Sequence, residues 1–150
     1  MVGAKPGRED MTNDVEALRK VRFFEELTDD DLDRVAKIGQ RRSFGVGETL
    51  VERDSDRGGL YVILSGSARV EVGGTVHDLG MGDFFGEMAL LGHTRRSASV
   101  TATEPVEALV IETIYFDPFL IQNPSVAVAI LHGVVERLRE VQERIDDPKT

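Results

Sequence analysis

Across residues 40–112 the chain is written in short apolar runs, each broken by glycine, and this pattern limits the fold more than any other feature. Leu60-Tyr61-Val62-Ile63-Leu64 stops at Ser65-Gly66. Ala68-Arg69-Val70-Glu71-Val72 alternates apolar and polar, meets Gly73-Gly74, and returns as Thr75-Val76-His77-Asp78-Leu79. Two β-rich runs around Gly-Gly predict a hairpin, because the tight turn that matches strand twist needs positive φ at its central residues. Residues 97–103 and 106–111 supply another pair around Glu104-Pro105. Short strands at even spacing mean a sandwich, a barrel or a jelly roll.

Helical patterning flanks this region. Residues 1–12, with Gly3, Pro6 and Gly7, read as a disordered tail. Asn13 or Asp14 is placed to cap a first helix bearing Val15, Leu18 and Val21. A second opens at Thr28-Asp29-Asp30-Asp31, with acids at the positive end of its dipole. It carries Leu32, Val35, Ala36 and Ile38 on one face and stops at Gly39. Beyond the strands, residues 114–121 suit a short helix closed by Asn123-Pro124. Ser125 then caps a longer helix that runs to about Asp146, and residues 147–150 are a tail. Along it Ala127, Leu131, Val134, Leu138, Val141 and Ile145 are spaced 4, 3, 4, 3 and 4, an a/d heptad seam. Such a helix lies on its own domain or pairs with a second copy. The strict spacing favours a homodimer through this helix.

Composition removes whole classes of function. Zero cysteines exclude disulfides, thiolate metal sites and a cysteine nucleophile. With 27 acidic and 18 basic side chains the net charge is −9, and there is no basic stripe, so direct nucleic-acid binding is not expected. No apolar run approaches bilayer length and the N-terminus has no signal core, so the expectation is a cytoplasmic protein without a membrane partner. From Val70 to Glu136, a span of 67 residues, the only Lys or Arg side chains are Arg95 and Arg96, where even scattering would put about eight. Two adjacent arginines in a base-free stretch need a local explanation.

That explanation lies in the residues around them. Phe85-Gly86-Glu87-Met88-Ala89-Leu90-Leu91 is a glycine approach to one strong helical turn, stopped by Gly92. Arg95-Arg96-Ser97-Ala98-Ser99-Val100 follows as a loop and a strand of small residues. A helical turn starting after Gly86 aims free N–H groups at whatever sits before it, and glycine allows close approach. An arginine brought over the same spot adds a fork for phosphate oxygens, and Ser97 one more hydrogen bond. Glu87 would repel phosphate unless the ligand also offers hydroxyl donors, as a ribose does. Phosphate clamp and carboxylate acceptor together point to a sugar phosphate.

These two segments resemble the phosphate-binding cassette of the cyclic-nucleotide-binding domain family, which includes catabolite-activator regulators, kinase regulatory subunits and nucleotide-gated channels. The resemblance covers about residues 20–146, with the Glu87 to Arg96 spacing intact. It implies an α+β, mainly β, fold. That fold is an eight-stranded jelly-roll β-barrel over 40–112, preceded by short helices over 14–39 and closed by helices over 114–146. The whole is one domain, 13–146. It also implies roles. Glu87 would take the ribose 2′-hydroxyl, Arg96 the cyclic phosphate, and the amides of Met88 and Ala89 the anion. Ser97 would contact phosphate or base, Arg95 the rim, and Phe85, Gly86 and Ala98 complete the ligand-binding set. The ligand is cAMP or cGMP, with a lean to cAMP because no residue demands guanine.

Rival motifs fail on spacing. Gly80-x-Gly82-x-x-x-Gly86 is one residue too long for a dinucleotide fingerprint and lacks its βαβ context. Asp54-x-Asp56-x-Gly58 lacks the closing glutamate of a calcium loop. His77, His93 and His132 are scattered, which argues against a metal, and no base or nucleophile accompanies Glu87 and Arg96, which argues against an enzyme. The expected function is therefore a non-catalytic cyclic-nucleotide sensor that signals through its closing helices. The partner would be separate, since 147–150 is too short for an output domain, or the output would lie on a longer chain. The alternative is a jelly-roll dimerisation scaffold that binds no ligand.

Overall fold

A computed structural model describes residues 8–53, 58–92, Arg96 and 98–146. Helix α1 (Arg8–Arg19) leads through a 3-10 turn (Arg22–Phe24) into α2 (Asp29–Ile38). Eight strands follow among the described residues: β1 (Gln40–Phe44), β2 (Thr49–Val51), β3 (Gly59–Ser65), β4 (Ala68–Val72), β5 (Thr75–Leu79), β6 (Phe84–Phe85), β7 (Ser99–Ala102) and β8 (Val106–Glu112). Helix α3 (Glu87–Gly92) stands between β6 and β7, and α4 (Thr113–Gln122) and α5 (Pro124–Asp146) come after β8.

The strands make two four-stranded antiparallel sheets, β1-β8-β3-β6 and β2-β7-β4-β5. The α+β jelly roll is as expected, but the sheets do not close into one hydrogen-bonded barrel. One reason is β6, which pairs with β3 only at Tyr61↔Phe85 and Val62↔Phe84 before Gly86 turns the chain into α3. The expected hairpin is present. Gly73 (φ 53°) and Gly74 (φ 82°) supply the two positive-φ residues, and Val72 pairs with Thr75.

The run Leu60 to Ile63 is continuously apolar because β3 is covered on both faces. Leu60 and Val62 join Leu109 and Ile111 of β8 in a core shared with the helices, around Phe24, Leu32 and Phe116. Tyr61 and Ile63 point the other way and join Ala108, Val110, Val100 and Leu50 between the sheets. Alternation along a strand normally separates core from solvent; here it separates two cores.

Helix ends follow the sequence closely for α2. Thr28 accepts from the Asp31 amide at 3.1 Å while Asp31 accepts from the Thr28 amide, a capping box. Gly39 ends it in an extended conformation, where a Cβ would stand 2.7 Å from Leu109 Cδ1 and shift that side chain. The first helix differs. It begins at Arg8, so residues 8–12 are helical and not tail, and Asp14 is inside it and not its cap. The Asp14 carboxylate is buried and bonds Arg41 of β1 at 2.7 Å, which docks α1 on the sheet. The Asp54-x-Asp56 motif lies outside the described residues.

Asp14→Ala removes a buried carboxylate from a part-buried ion pair and should lower unfolding stability by about 1–3 kcal/mol. Urea melts that coincide with wild type would show that the pair contributes nothing.

Candidate functional site

Strand β6 ends at Gly86, whose φ of 90° turns the chain directly into α3, with Leu90 N donating to the Gly86 carbonyl at 2.9 Å. Two demands meet at Gly86. Its φ is in the left-handed region, and a Cβ there would lie 2.3 Å from both Arg96 Nη1 and the Gly59 carbonyl oxygen. Gly59 is looser: a Cβ would stand 3.1 Å from the Ile111 carbonyl oxygen, and at ordinary contact, 3.5 Å, from Arg96 Nη2 and Glu112 Cα. The backbone is thus folded around one guanidinium.

Arg96 is only 6% exposed, and among the described residues Nε and Nη1 have no hydrogen-bond partner. Its head group lies 5.5 Å from the centroid of the Tyr61 ring, which in turn stacks on Phe85 at 5.0 Å with 13° between the planes. Burial pushes the Arg96 pKa down, and Tyr61 acts weakly in the opposite sense. Arginine nevertheless stays protonated in proteins, so this is a desolvated cation. Buried charges are ordinarily paired. A group of this kind is set to receive an anion.

A cavity of about 690 Å³ opens beside it, within the range usual for small-molecule sites. Phe44, Leu50, Tyr61 and Val110 give it apolar walls. Arg42 and Glu112, paired at 2.5 Å, and Thr113 give it a polar end. The Thr113 hydroxyl oxygen is also buried without a partner among the described residues.

Of the residues singled out from sequence, the structure brings Phe85, Gly86 and Arg96 together. Ala89 is buried in α3, Met88 is exposed, and Glu87 and Ala98 are half-buried. Glu87 is not among the residues that wall the cavity. Arg95 and Ser97 lie outside the described residues. Sequence reading missed Tyr61, Gly58, Gly59, Thr113 and the Arg42–Glu112 pair. Consecutive glycines opening an apolar strand were a usable signal, since they weaken the strand unless something must approach closely. Thr113, a single hydroxyl at a strand–helix junction, carried none.

The sequence pattern of the family described as Cyclic nucleotide-binding domain matches residues 41–123, more than half of the chain. The Cyclic AMP receptor protein of Thermus thermophilus is 31% identical over 130 residues, covering 83% of this chain and 60% of that protein. The cGMP-dependent protein kinase of Toxoplasma gondii is 38% identical over 88 residues, covering 58% of this chain and 9% of that protein. The chain therefore spans at most 60% of these two relatives. Among solved structures, the N-terminal domain of a transcriptional regulator from Streptomyces coelicolor matches with a TM-score of 0.77 at 28% identity, over 87% of this chain and 98% of that one. Thermus thermophilus Catabolite Activator Protein matches with a TM-score of 0.63 at 30% identity, over 83% and 62%.

Gly86→Ala tests the cradle. A Cβ cannot fit against Arg96 and the Gly59 carbonyl, and the positive φ adds strain, so stability should fall by about 1–3 kcal/mol. An unchanged melting temperature would mean that the turn relaxes freely.

Proposed function

Because the chain belongs to the cyclic nucleotide-binding domain family, we propose that it is a non-catalytic cyclic nucleotide sensor, cAMP being preferred to cGMP. The observation that carries this reading is the buried Arg96 guanidinium, whose Nε and Nη1 have no hydrogen-bond partner among the described residues, beside a cavity of ligand size. A cyclic phosphate is a monoanion and matches one positive charge. Arg96 takes the phosphate, with the amides of Met88 and Ala89 at the start of α3. Glu87 accepts from the ribose 2′-hydroxyl; Phe85, Gly86 and Ala98 shape the turn, and Ser97 and Arg95 complete the set. The preference for cAMP rests on the cassette itself, in which no residue obliges guanine. A cytoplasmic setting suits the cysteine-free, acidic composition.

Signal leaves through α4 and α5. A ligand that draws α3 toward Arg96 favours whichever arrangement of these helices lets α3 move, and that difference in affinity is the switch. Helix α5 also presents a surface for a second copy. Val126, Ile130 and Gly133 face the domain, and Ala127 and Val134 of the expected seam are partly buried, while its Leu131, Leu138, Val141 and Ile145 are exposed. Val128 and Val135 join them in the exposed stripe, with Leu131 58% and Leu138 62% exposed. Valine and leucine alternate along it at 3, 4 and 3 residues, the pattern that suits a parallel two-stranded coil. This stripe also serves the alternative reading, a dimerisation scaffold without ligand.

Titration calorimetry of nucleotide-stripped protein with cAMP, cGMP and 5′-AMP tests the sensor. Tight binding of a cyclic nucleotide and none of 5′-AMP is expected, and heat with none of them moves the weight to the scaffold. Arg96→Ala should cost about 2–5 kcal/mol of binding, because it leaves a desolvated phosphate unpaired. Binding within threefold of wild type would refute the assignment. Sedimentation tests the stripe: wild type should run as a dimer and Leu131→Glu/Leu138→Glu as a folded monomer. Identical sedimentation of the two would remove α5 as the interface.

A further inference from the structure

An arginine head group that hydrogen bonds do not hold needs another restraint if it is to wait in one place. Arg96 is such a group, since its Nε and Nη1 are buried without a partner among the described residues. Left to itself, a guanidinium in that condition turns toward water, where its charge is solvated. What it meets is the Tyr61 ring, with the guanidinium carbon over the face and 5.5 Å from the centroid. That ring is itself held. It stacks on Phe85 at 5.0 Å with 13° between the planes, and Phe44 lies at 6.5 Å, tilted by 45°. Its strand is paired on both sides, Tyr61 with Phe85 of β6 and with Val110 of β8.

Phe85 closes the circuit. The next residue is Gly86, whose turn brings the backbone so near Arg96 Nη1 that a Cβ would stand 2.3 Å from it. The contacts therefore run from the guanidinium to Tyr61, from Tyr61 to Phe85, across one peptide bond to Gly86, and back to the guanidinium. Resting on the sensor reading, we propose that the Tyr61–Phe85 ring pair is the platform that holds the Arg96 guanidinium in register with the start of α3, which makes Tyr61 a positioning residue for the anion. A phosphate must meet the arginine and the α3 amides together, and a spacing set before it arrives spares binding the cost of ordering them. An aromatic face suits this task better than a carboxylate. It holds the cation without neutralising it, so the full charge stays available to the ligand.

The test keeps the ring in Tyr61→Phe and replaces it by an apolar side chain without one in Tyr61→Leu. Each variant is titrated with cAMP, cGMP and a ribose 3′,5′-cyclic phosphate that lacks the base, and its ligand-free melt shows whether it is folded. Tyr61→Leu should weaken all three ligands by a similar factor, about five- to thirtyfold, while Tyr61→Phe stays within about threefold of wild type. In an Arg96→Ala background, Tyr61→Leu should change binding by less than about threefold, because the ring then has no cation to hold. Phe85→Leu should act in the same direction, again only while Arg96 is present, and it carries the test if Tyr61→Leu does not fold. Undiminished binding by Tyr61→Leu, or a loss confined to the two ligands that carry a base, would overturn the proposal. So would a loss as large with Tyr61→Phe, which would assign the effect to the hydroxyl. A loss of the same size in the Arg96→Ala background would make Tyr61 a packing residue and would overturn it equally. If wild type binds none of the three ligands, the sensor reading itself fails and the platform falls with it.

Discussion

A single buried cation organises this molecule. Taking a guanidinium out of water costs several kcal/mol when nothing opposite in charge replaces the solvent. Among the described residues no carboxylate bonds Arg96; the fold supplies instead a π-face, the Tyr61 ring. That compensates weakly, on the order of 1–2 kcal/mol. The balance is a standing attraction for an anion, available only where the cavity opens. Gly86 follows from this constraint, because it lets the backbone close on the guanidinium where a side chain would push it away.

The strands that hold the site also hold the helices. On β3, Tyr61 meets Arg96 on one face while Leu60 and Val62 pack into the helical core on the other. On β8, Val110 lines the cavity while Leu109 and Ile111 pack against the helices, and the strand then runs without a loop through Glu112 into Thr113 and α4. No flexible linker separates ligand space from α4. A continuous backbone and a close-packed core thus join the cavity to α4.

Much of this was legible before the structure. The Gly73-Gly74 hairpin, the Thr28 cap and the short helix before Asn123-Pro124 are local, and local chemistry fixes them. Phe85, Gly86 and Arg96 could be grouped from the sequence because they are close in it as well as in space. Tyr61 was not, since an aromatic residue in an apolar strand reads as core whichever of two cores it faces. Asp14 looked like a cap because acids favour helix starts, and only the distant Arg41 gave it another task. In the α5 seam Leu131, Leu138, Val141 and Ile145 are exposed, but Ala127 and Val134 turn partly inward for a related reason. Periodicity shows that a helix has an apolar stripe, but when nearly every turn is apolar it does not show which stripe the domain takes.

That last point bears on how α5 is held. Its inner face is held by the 3-10 turn: a Cβ at Gly133 would lie 2.9 Å from the Phe23 carbonyl oxygen, and Arg22 bonds Glu140 at 2.9 Å. Backbone-to-backbone contact of this kind has no side chain to rearrange, so it persists intact or breaks. A repacking of α5 must therefore carry the turn with it or give up both the contact and the ion pair. Since the exposed pair is worth on the order of 0–1 kcal/mol, packing at Gly133 is the stronger restraint. The exposed stripe lies on a different face, so occupying it leaves that restraint in place. Turn and helix are thus held together, and the chain bends by 112° between α4 and α5.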